Sequence, residues 1–323
     1  MAHEMYFADE SALRRYRARK IISTFFLYLF LTIFALFMLL PFVMMIVGSL
    51  TEAKSFSSFE QTADFSKIGF SHWEFSNFEK IFSGKVPDKI HPERVYETTS
   101  FAQFYLNTII SAVGSTAVTV ITAVLAAFAF ARLEFKGKNV LFAALLATMM
   151  IPGELMIITN YQTTKQIGWE NTFSALIFVH GVSVFYVFYL RQTFQQIPNE
   201  LYLAAKVDGV GDVGYLWKVM IPIAMPTITT IIILSLMGAW NSYVWPEMII
   251  TDEGWKYASA FGLEKYDMRL VSNGLMSLFN SQAGGEDAIK IAGSMVVTFP
   301  LFVVFIIFRK YIMRGVSRSG IKG

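Results

Sequence analysis

The sequence predicts an all-α membrane protein with six transmembrane helices, and three observations lead to that prediction. Of its 323 residues, 54% are hydrophobic and 16% are charged, whereas about a quarter of the residues in soluble domains are charged. The chain contains 31 Phe and 16 Met, more apolar surface than a soluble domain of this size could cover. Six apolar stretches approach or exceed the ~20 residues that a hydrocarbon core requires.

The first span is predicted at 21–50. Its apolar run is about twice the length of the hydrophobic part of a cleaved signal peptide, and no small-residue cleavage site follows it, so we expect a permanent helix. The fourth span, 174–189, is short for a bilayer. The five spans after the first are predicted at 104–131, 140–158, 174–189, 221–245 and 289–308.

The placement of Lys and Arg predicts the orientation of the chain. With six spans, the basic tail 1–20, the loop after the second span, the loop after the fourth span and the tail 309–323 all lie on one side. Such a bias marks the cytoplasmic face, so both termini are predicted to be cytoplasmic. The long loops 51–103 and 246–288 then lie outside, and the unit 104–308 forms a core with five of the spans.

The chain lacks the residues that several classes of function need. The chain has no cysteine, which excludes disulfides and thiolate metal sites, and its net charge of +3 gives no case for nucleic acid. The four histidines lack metal-ligand spacing. No phosphate-binding G-x-x-x-x-G-K-[ST] loop occurs, and the G-x-G-x-x-G at 209–214 follows a short helix rather than a strand. We therefore expect no catalysis and no cofactor in this chain.

The segment 197–222, the docking loop, is the most informative stretch. Pro198, Asn199 and Glu200 predict a helix start, with an acidic residue near the positive end of the helix dipole. A short helix through Val207 follows, and Gly209 ends it. A helix-turn-helix on the cytoplasmic face suits docking into a cleft of a soluble partner. A plain connector between two spans is an equally weighted interpretation.

The docking loop resembles the EAA signature of ABC importer permeases: Glu-Ala-Ala, three residues, Gly, nine residues and Ile-x-Leu-Pro. Asp208 precedes the glycine, as it commonly does in the sugar branch of that family. Leu203 stands where the signature has glutamate, so the polar contact of that glutamate is in question here. The matching residues are Ala204, Ala205, Gly209, Val219, Met220, Ile221 and Pro222.

The resemblance to maltose-type permeases extends along most of the chain. Segment 86–100 is extra relative to the family pattern. The matching segments are Leu39–Phe56, Phe75–Phe78, Leu106–Thr108, Gly238–Glu247 and the closing RKYIMRGVSRSGIKG.

The resemblance implies a type I ABC importer permease fold in a bacterial cytoplasmic (inner) membrane, and import of a sugar, with weak preference for an oligosaccharide. The implied partners are a second permease subunit of sibling sequence, two cytoplasmic ATPase subunits that bind ATP and Mg, an extracytoplasmic solute-binding protein and membrane lipid. Segment 272–285 is expected to reach the cleft of the binding protein. The implied ATPase-docking residues are Glu200, Ala204, Ala205, Asp208, Gly209 and Pro222.

Four residues are candidates for the substrate pathway. Trp240, Asn241 and Tyr243 close the fifth span near the outer face, where rings and hydrogen-bonding groups suit a sugar. An interfacial aromatic belt is the favoured interpretation of the tryptophans, and helix-to-helix hydrogen bonding is an alternative for Asn241. Glu154 lies near the outer end of the third span, beside Pro152, where a hydrated position is at least as favoured.

Two other functions are alternatives to a sugar importer. A secondary transporter driven by an ion gradient predicts inverted repeats and intramembrane carboxylates. The spans show no internal repeat and, apart from Glu154, are nearly free of acids. A membrane-embedded enzyme would need Asp, Glu or His clustered at one depth, and no such cluster is visible.

Overall fold

A computed structural model of the chain describes residues 10–50, 73, 75–87, 95–97, 99–251, 254–263, 266–280 and 287–317. Parts of several predicted segments lie outside these residues. They are 1–9 of the basic N-terminal tail, most of the outer loop 51–98, residues 281–286 of the outer loop before the last span, and 318–323 of the C-terminal tail.

Helices dominate the described part of the chain. A π-helical turn at Leu216–Met220 joins α9 to α10, and a short 3₁₀ helix lies at Ala258–Phe261. The helices in chain order are α1 (Glu10–Leu50), α2 (Ser76–Ser83), α3 (Phe101–Arg132), α4 (Lys138–Thr148), α5 (Gly153–Gln166), α6 (Phe173–Phe178), α7 (Val184–Gln195), α8 (Asn199–Val207), α9 (Asp212–Tyr215), α10 (Ile221–Trp240), α11 (Val244–Ile249), α12 (Val271–Asn280) and α13 (Asp287–Ser317).

One small hairpin interrupts the helical pattern. Strand β1 (Lys85–Pro87) pairs antiparallel with β2 (Val95–Glu97), with Val86 opposite Tyr96. The hairpin lies almost wholly within the stretch 86–100 that is extra relative to the family pattern. It follows directly on α2, which packs against α13 and α3. Among the described residues, the hairpin is therefore a local addition that packs next to α2.

Four of the predicted spans are confirmed as long apolar helices. Among the described residues, the segments able to cross a membrane by length and composition are Arg14–Leu50, Phe101–Arg132, Asp212–Trp240 and Ala288–Arg309.

The predicted third span is helical but broken. Helices α4 and α5 meet at 96° across the residues between Thr148 and Gly153, so at most five crossings are counted in the described chain if this pair is one span. Pro152 begins α5 with extended backbone (φ −58°, ψ 129°). Proline lacks an N–H and disfavours helix at the residue before it, which explains the break.

The predicted fourth span, 174–189, is two short helices, α6 and α7, rather than one. Gly181 lies in the link between them, and its carbonyl accepts a hydrogen bond from Thr122 Oγ1 of α3 at 2.9 Å. A Cβ at Gly181 would lie 2.5 Å from Val118 Cγ1. Close packing against α3 therefore sets the course of this segment, which hydropathy alone does not show.

Helix α3 is the centre of the bundle, and α6, α7, α10 and α12 all pack against it. A buried apolar cluster lies at each end of α3. The first cluster includes Val124, Ala127, Phe128, Leu190, Phe194, Tyr215, Leu216 and Met220. The second includes Phe101, Phe104, Trp240, Val271, Ile289 and Val296.

Helix α1 stands largely apart from the bundle. The apolar window of this span has no buried residue. Its C-terminal end contacts α13, where Ser49 Oγ lies 3.2 Å from Met295 Sδ, and Asn77 Nδ2 donates to the carbonyl of Ser49 at 3.0 Å. A helix that is apolar on every face and exposed needs an apolar environment. Lipid or another membrane subunit must therefore cover α1.

The buried start of α3 holds the segment 266–271 in place. Asn107 Nδ2 donates to the carbonyls of Asp267 (2.8 Å) and Arg269 (3.0 Å), while its Oδ1 accepts from the Tyr266 hydroxyl at 2.7 Å. The hydroxyl oxygen of Thr108 accepts the backbone N–H of Val271 at 2.8 Å. These bonds give the Asn107-Thr108 pair of the family pattern a structural role.

Adding a methyl group at Gly274 is expected to destabilise the protein. A Cβ there would lie 2.2 Å from the Phe104 ring, and overpacking of this kind costs about 1–3 kcal/mol. The melting temperature of purified Gly274→Ala protein in detergent should therefore fall. Gly238→Ala is the control, because a Cβ at Gly238 meets nothing within 4 Å. Equal melting temperatures for the two variants would contradict this packing.

Candidate functional site

The docking loop begins with a short, exposed helix, as predicted. Pro198 has extended backbone (φ −55°, ψ 137°), and α8 starts at Asn199, within the predicted helix start. Glu200 lies in the first turn, where it complements the helix dipole. None of the α8 side chains is fully buried. The helix is therefore a surface element and depends on specific contacts for its position.

Gly209 ends α8 in a left-handed conformation with φ +73°. The N–H of Gly209 donates to the carbonyl of Lys206 (3.1 Å), and the N–H of Val210 donates to that of Ala205 (2.8 Å). This pair of bonds is the Schellman motif, whose left-handed position strongly favours glycine. The backbone conformation therefore requires glycine at this position of the signature. Crowding is not the reason, because a Cβ at Gly209 would meet nothing within 4 Å.

A polar clamp joins α8 to α9. The hydroxyl of Tyr202 and the ammonium of Lys206 both bind Asp212 Oδ1, each at 2.6 Å. The Tyr202 ring also packs edge-to-face on Tyr215, with centroids 5.0 Å apart. The hydrogen bond to Asp212 raises the pKa of Lys206. The ion pair is therefore present at neutral pH, and it is lost as the pH rises through the raised pKa of Lys206 or falls through the lowered pKa of Asp212.

Arg132, the last residue of α3, holds the entry to the docking loop. Its guanidinium donates to the carbonyls of Phe194 (2.9 Å) and Ile197. Both carbonyls lie at or just beyond the C-terminal end of α7, where acceptors lack helical partners and a cation is favourable. In the sequence, Arg132 indicates only that the loop after the second span is positively charged. The structure shows that it joins α3, α7 and the docking loop.

The exposed face of the docking loop is apolar. Leu203 is 56% exposed and Val207 is 88% exposed, one helical turn apart on α8. Beyond the turn, Val213 and Trp217 are also exposed. We call these four residues the apolar docking face. The substitution of the signature glutamate by Leu203 therefore adds to an existing apolar surface.

The structure brings most of the implied docking residues together on one short loop. Glu200, Ala204, Asp208 and Gly209 are exposed on or beside α8. Ala205 is half-buried against the first apolar cluster. Pro222 lies apart from them, as the second residue of α10 beyond the π-helical turn.

A cavity of about 270 Å³ lies between α3, the α6–α7 link and the C-terminal end of α10. The lining is rich in hydroxyl groups, and those on α3 recur every fourth residue along one face of the helix. The hydroxyl-bearing serines and threonine are Ser111, Ser115, Thr119, Ser183, Ser235 and Ser242. We call this space the hydroxyl-lined cavity.

Several of these hydroxyls have no internal partner. Within the part of the chain that the structure describes, the side-chain hydroxyls of Ser111, Thr119, Ser235 and Tyr186 make no hydrogen bond. Helical Ser and Thr commonly bond back to the preceding turn, as Thr122 does with the carbonyl of Val118 at 2.9 Å. The cavity therefore presents unused donors and acceptors to whatever fills it.

Two aromatic rings shape the mouth of the cavity. His180 is exposed and packs edge-to-face on Trp245, with ring centroids 5.1 Å apart. The indole of Trp245 is buried, and its Nε1 donates to the carbonyl of Ala175 at 3.1 Å. Trp245 is thereby fixed in place, and it supports the imidazole of His180.

The four pathway candidates lie outside the cavity lining. Trp240 is buried, its Nε1 donates to the carbonyl of Val297 at 3.2 Å, and it packs edge-to-face on Tyr105. Asn241 is exposed and donates to the carbonyl of Met237 at 2.9 Å. Tyr243 is half-buried, and Glu154 is exposed in the first turn of α5.

The residues that do line the cavity were missed at the sequence level. Ser242, which lines it, lies between Asn241 and Tyr243 in the sequence. The four-residue spacing of Ser111, Ser115 and Thr119 was the available signal, because such residues share one helix face. Hydroxyls barely change the hydropathy of a span, which is why this signal is weak.

Comparison with known proteins places these features in a family. Residues 119–318 match the family described as binding-protein-dependent transport system inner membrane component. The arabinooligosaccharides transport system permease protein AraQ of Bacillus subtilis (strain 168) is 24% identical over 297 residues, which cover 92% of this chain and 95% of the relative. The diacetylchitobiose uptake system permease protein NgcG of Streptomyces coelicolor is 26% identical, over 81% of this chain and 80% of the relative.

A solved structure supports the fold. It is a bacterial ABC transporter involved in the import of the acidic polysaccharide alginate. One of its chains superimposes with a TM-score of 0.65 at 21% identity, covering 94% of this chain and 99% of that chain.

Replacing Gly209 by alanine is expected to loosen the end of α8. The left-handed conformation costs an alanine roughly 1–2 kcal/mol, so the amides of Gly209 and Val210 should exchange hydrogen about 5–30-fold faster. Hydrogen exchange with mass spectrometry measures this. Gly153→Ala is the matched control, because its Cβ also meets nothing and its φ is not positive. Unchanged exchange at the end of α8 would contradict the Schellman assignment.

Proposed function

The chain belongs to the family of binding-protein-dependent transport system inner membrane components, and from that premise we propose that it forms half of the translocation pathway of an ATP-driven sugar importer. It is a multi-pass protein of the bacterial inner membrane with several apolar helices. The observation that carries the proposal is the docking loop, an exposed helix-turn-helix anchored to three helices of the bundle. A plain connector would not require the Gly209 turn, the Asp212 clamp and the Arg132 contacts together.

The docking loop transmits the motion of two ATPase subunits that bind ATP and Mg. When the ATPases close, they move α8, and the clamp at Asp212 carries α9 with it. Tyr215 is fully buried in the first apolar cluster, and Arg132 binds the start of the loop. Displacement of the loop therefore acts on α3, α7 and α10 together, and the pathway changes from inward-facing to outward-facing.

The apolar docking face determines the chemistry of this contact. The implied docking residues Glu200, Ala204, Ala205, Asp208, Gly209 and Pro222 shape and orient the loop. Leu203 and Val207 supply the surface that enters the ATPase cleft, because they are exposed on the same face of α8. A contact of this kind gains its free energy from burial of apolar area. We therefore expect an apolar cleft wall opposite Leu203, in place of a cation for the signature glutamate.

Six crossings with both termini cytoplasmic remain our proposed topology. The crossings are α1, α3, the bent pair α4–α5, the pair α6–α7, the helix through α10, and α13. The basic residues of the N-terminal tail, of the α3–α4 link and of the docking loop fall on one side in this arrangement. The break inside the fourth crossing lies against α3 at Gly181, where irregular backbone is tolerated in a membrane protein.

The substrate is a sugar, and an oligosaccharide fits best. The permease relatives AraQ and NgcG are named for transport of arabinooligosaccharides and diacetylchitobiose. An extracytoplasmic solute-binding protein delivers the sugar to the outer loops 51–103 and 246–288. A second permease subunit of sibling sequence completes the pathway, and Asn241, Tyr243 and Glu154 are candidates for contacts near its outer end. Trp240 supports that end by packing.

A charge on the docking face is expected to release the ATPase. Val207→Asp should leave the permease folded, since Val207 is 88% exposed, but burying the new carboxylate in an apolar cleft is costly. We expect at least about a tenfold loss of co-purified ATPase and of ATP hydrolysis in gently extracted complexes. Gln196→Asp, which adds an acid at an exposed position just before the loop, is the matched control.

Two results would contradict the proposal. A tagged chain that purifies without an ATPase or second permease, and still moves solute down an ion gradient, would establish the secondary transporter instead. Equal ATPase recovery with Val207→Asp and Gln196→Asp would be compatible with an importer but would contradict the role of the apolar docking face in ATPase binding.

A further inference from the structure

We propose that the hydroxyl-lined cavity of this chain binds a neutral saccharide through its hydroxyl groups during transport. The proposal rests on the proposed sugar importer and adds a site and a substrate class to it. The site is formed by α3, the α6–α7 link and α10 of this one chain, so this chain contacts the sugar directly.

The polar groups of the cavity match the chemistry of a saccharide. Each saccharide hydroxyl is both donor and acceptor, and so is each Ser, Thr or Tyr hydroxyl. The hydroxyls of Ser111, Thr119 and Ser235 line the cavity without a partner among the described residues, so a sugar displaces water and breaks no hydrogen bond within the described part of the protein. Ligand sites typically combine such convergent polar groups with aromatic walls. Here Tyr186, His180 and Trp245 supply those walls.

The described lining of the cavity is uncharged, and this favours neutral sugars. No Lys, Arg, Asp or Glu is among the described residues that line it. A uronic-acid saccharide carries carboxylates, and proteins usually recognise carboxylates with Arg or Lys through charge-assisted hydrogen bonds. A carboxylate placed in this cavity would lose water without gaining a cation. A neutral saccharide has no such penalty.

The cavity is also a gap between the side chains of this chain that opens to its surface. It reaches the surface at His180 and Gly238, both of which are exposed. A Cβ at Gly238 would meet nothing within 4 Å, although Gly238 lies within α10. Residual voids in protein cores are typically apolar and small. A polar, open cavity of about 270 Å³ is instead accessible to water and to a solute.

Filling the cavity from Gly238 tests the site in the assembled importer. The complex with its ATPases is reconstituted in liposomes together with its solute-binding protein, and uptake of arabinotriose or diacetylchitobiose is measured with Gly238→Ala and Gly238→Leu. We expect a graded loss of uptake, at least about tenfold for leucine, with subunit recovery unchanged. An empty structural void predicts the opposite, since filling it leaves uptake intact and raises the melting temperature. That result would overturn the proposal.

Hydroxyl deletion separates sugar contact from steric blockage. Thr119→Val and Ser235→Ala keep the approximate shape and remove one hydrogen-bonding group each, so the KM for the neutral sugar should rise about 2–10-fold at constant maximal rate. Ser294→Ala is the matched control, because Ser294 bonds within α13 to Lys290 and lies outside the lining. Equal KM values for all three variants would overturn the proposal.

A direct measurement distinguishes failure of this site from failure of the importer assignment. The chain has no cysteine, so Ser235→Cys introduces a single thiol at the cavity. We expect a water-soluble thiol reagent to label it in membranes, and millimolar arabinotriose to slow labelling while trigalacturonate does not. Leu125→Cys, on an exposed apolar position of α3, should resist the reagent. Equal protection by both sugars, or protection by neither, would refute a neutral-sugar site even if ATPase subunits co-purify.

Discussion

The close packing of α3 against the α6–α7 link is the contact on which the rest of the bundle depends. In a bilayer there is little hydrophobic drive between helices, so association relies on close approach and on hydrogen bonds. Gly114 and Gly181 make that approach possible, because a Cβ at either would lie 2.5–2.7 Å from a side chain opposite. The Thr122 hydroxyl then binds the carbonyl of Gly181. This contact satisfies a carbonyl that the break between α6 and α7 would otherwise leave unpaired.

Because α3 passes through the whole bundle, it connects the docking loop to the hydroxyl-lined cavity. Its last residue, Arg132, binds the carbonyls at the end of α7, and its middle turns present Ser111 and Thr119 to the cavity. A rigid helix of this length moves as one body. In the proposed importer, motion imposed on the docking loop would act on α3, α7 and α10, and α3 and α10 also form walls of the cavity. Helix α3 would then connect ATP hydrolysis to sugar release.

How much the sequence predicted depends on the kind of signal. Length and hydropathy located the four continuous spans, and the turn chemistry of Pro198 and Gly209 located α8, because both are local properties. The breaks at Pro152 and Gly181 were harder, since an apolar segment remains apolar whether it is straight or bent. The hydroxyl-lined cavity depends on which faces of α3 and α10 meet, and only tertiary packing determines that. The exposure of Leu203 likewise depends on tertiary packing, although the sequence alone shows that Leu203 replaces the signature glutamate.

The described lining of the cavity contains no Lys, Arg, Asp or Glu, which is consistent with what a transport site must do. A solute has to enter and also leave, so the binding free energy must be spread over several weak contacts. Neutral hydroxyl pairs provide about 0.5–1.5 kcal/mol each, whereas bonds to charged groups are roughly twice as strong. A rearrangement that separates Thr119 from Ser235 by a small distance would break several weak bonds together and release the sugar. A buried ion pair would hold its ligand through the same motion, which is a reason for a neutral-sugar importer to line this cavity with hydroxyls.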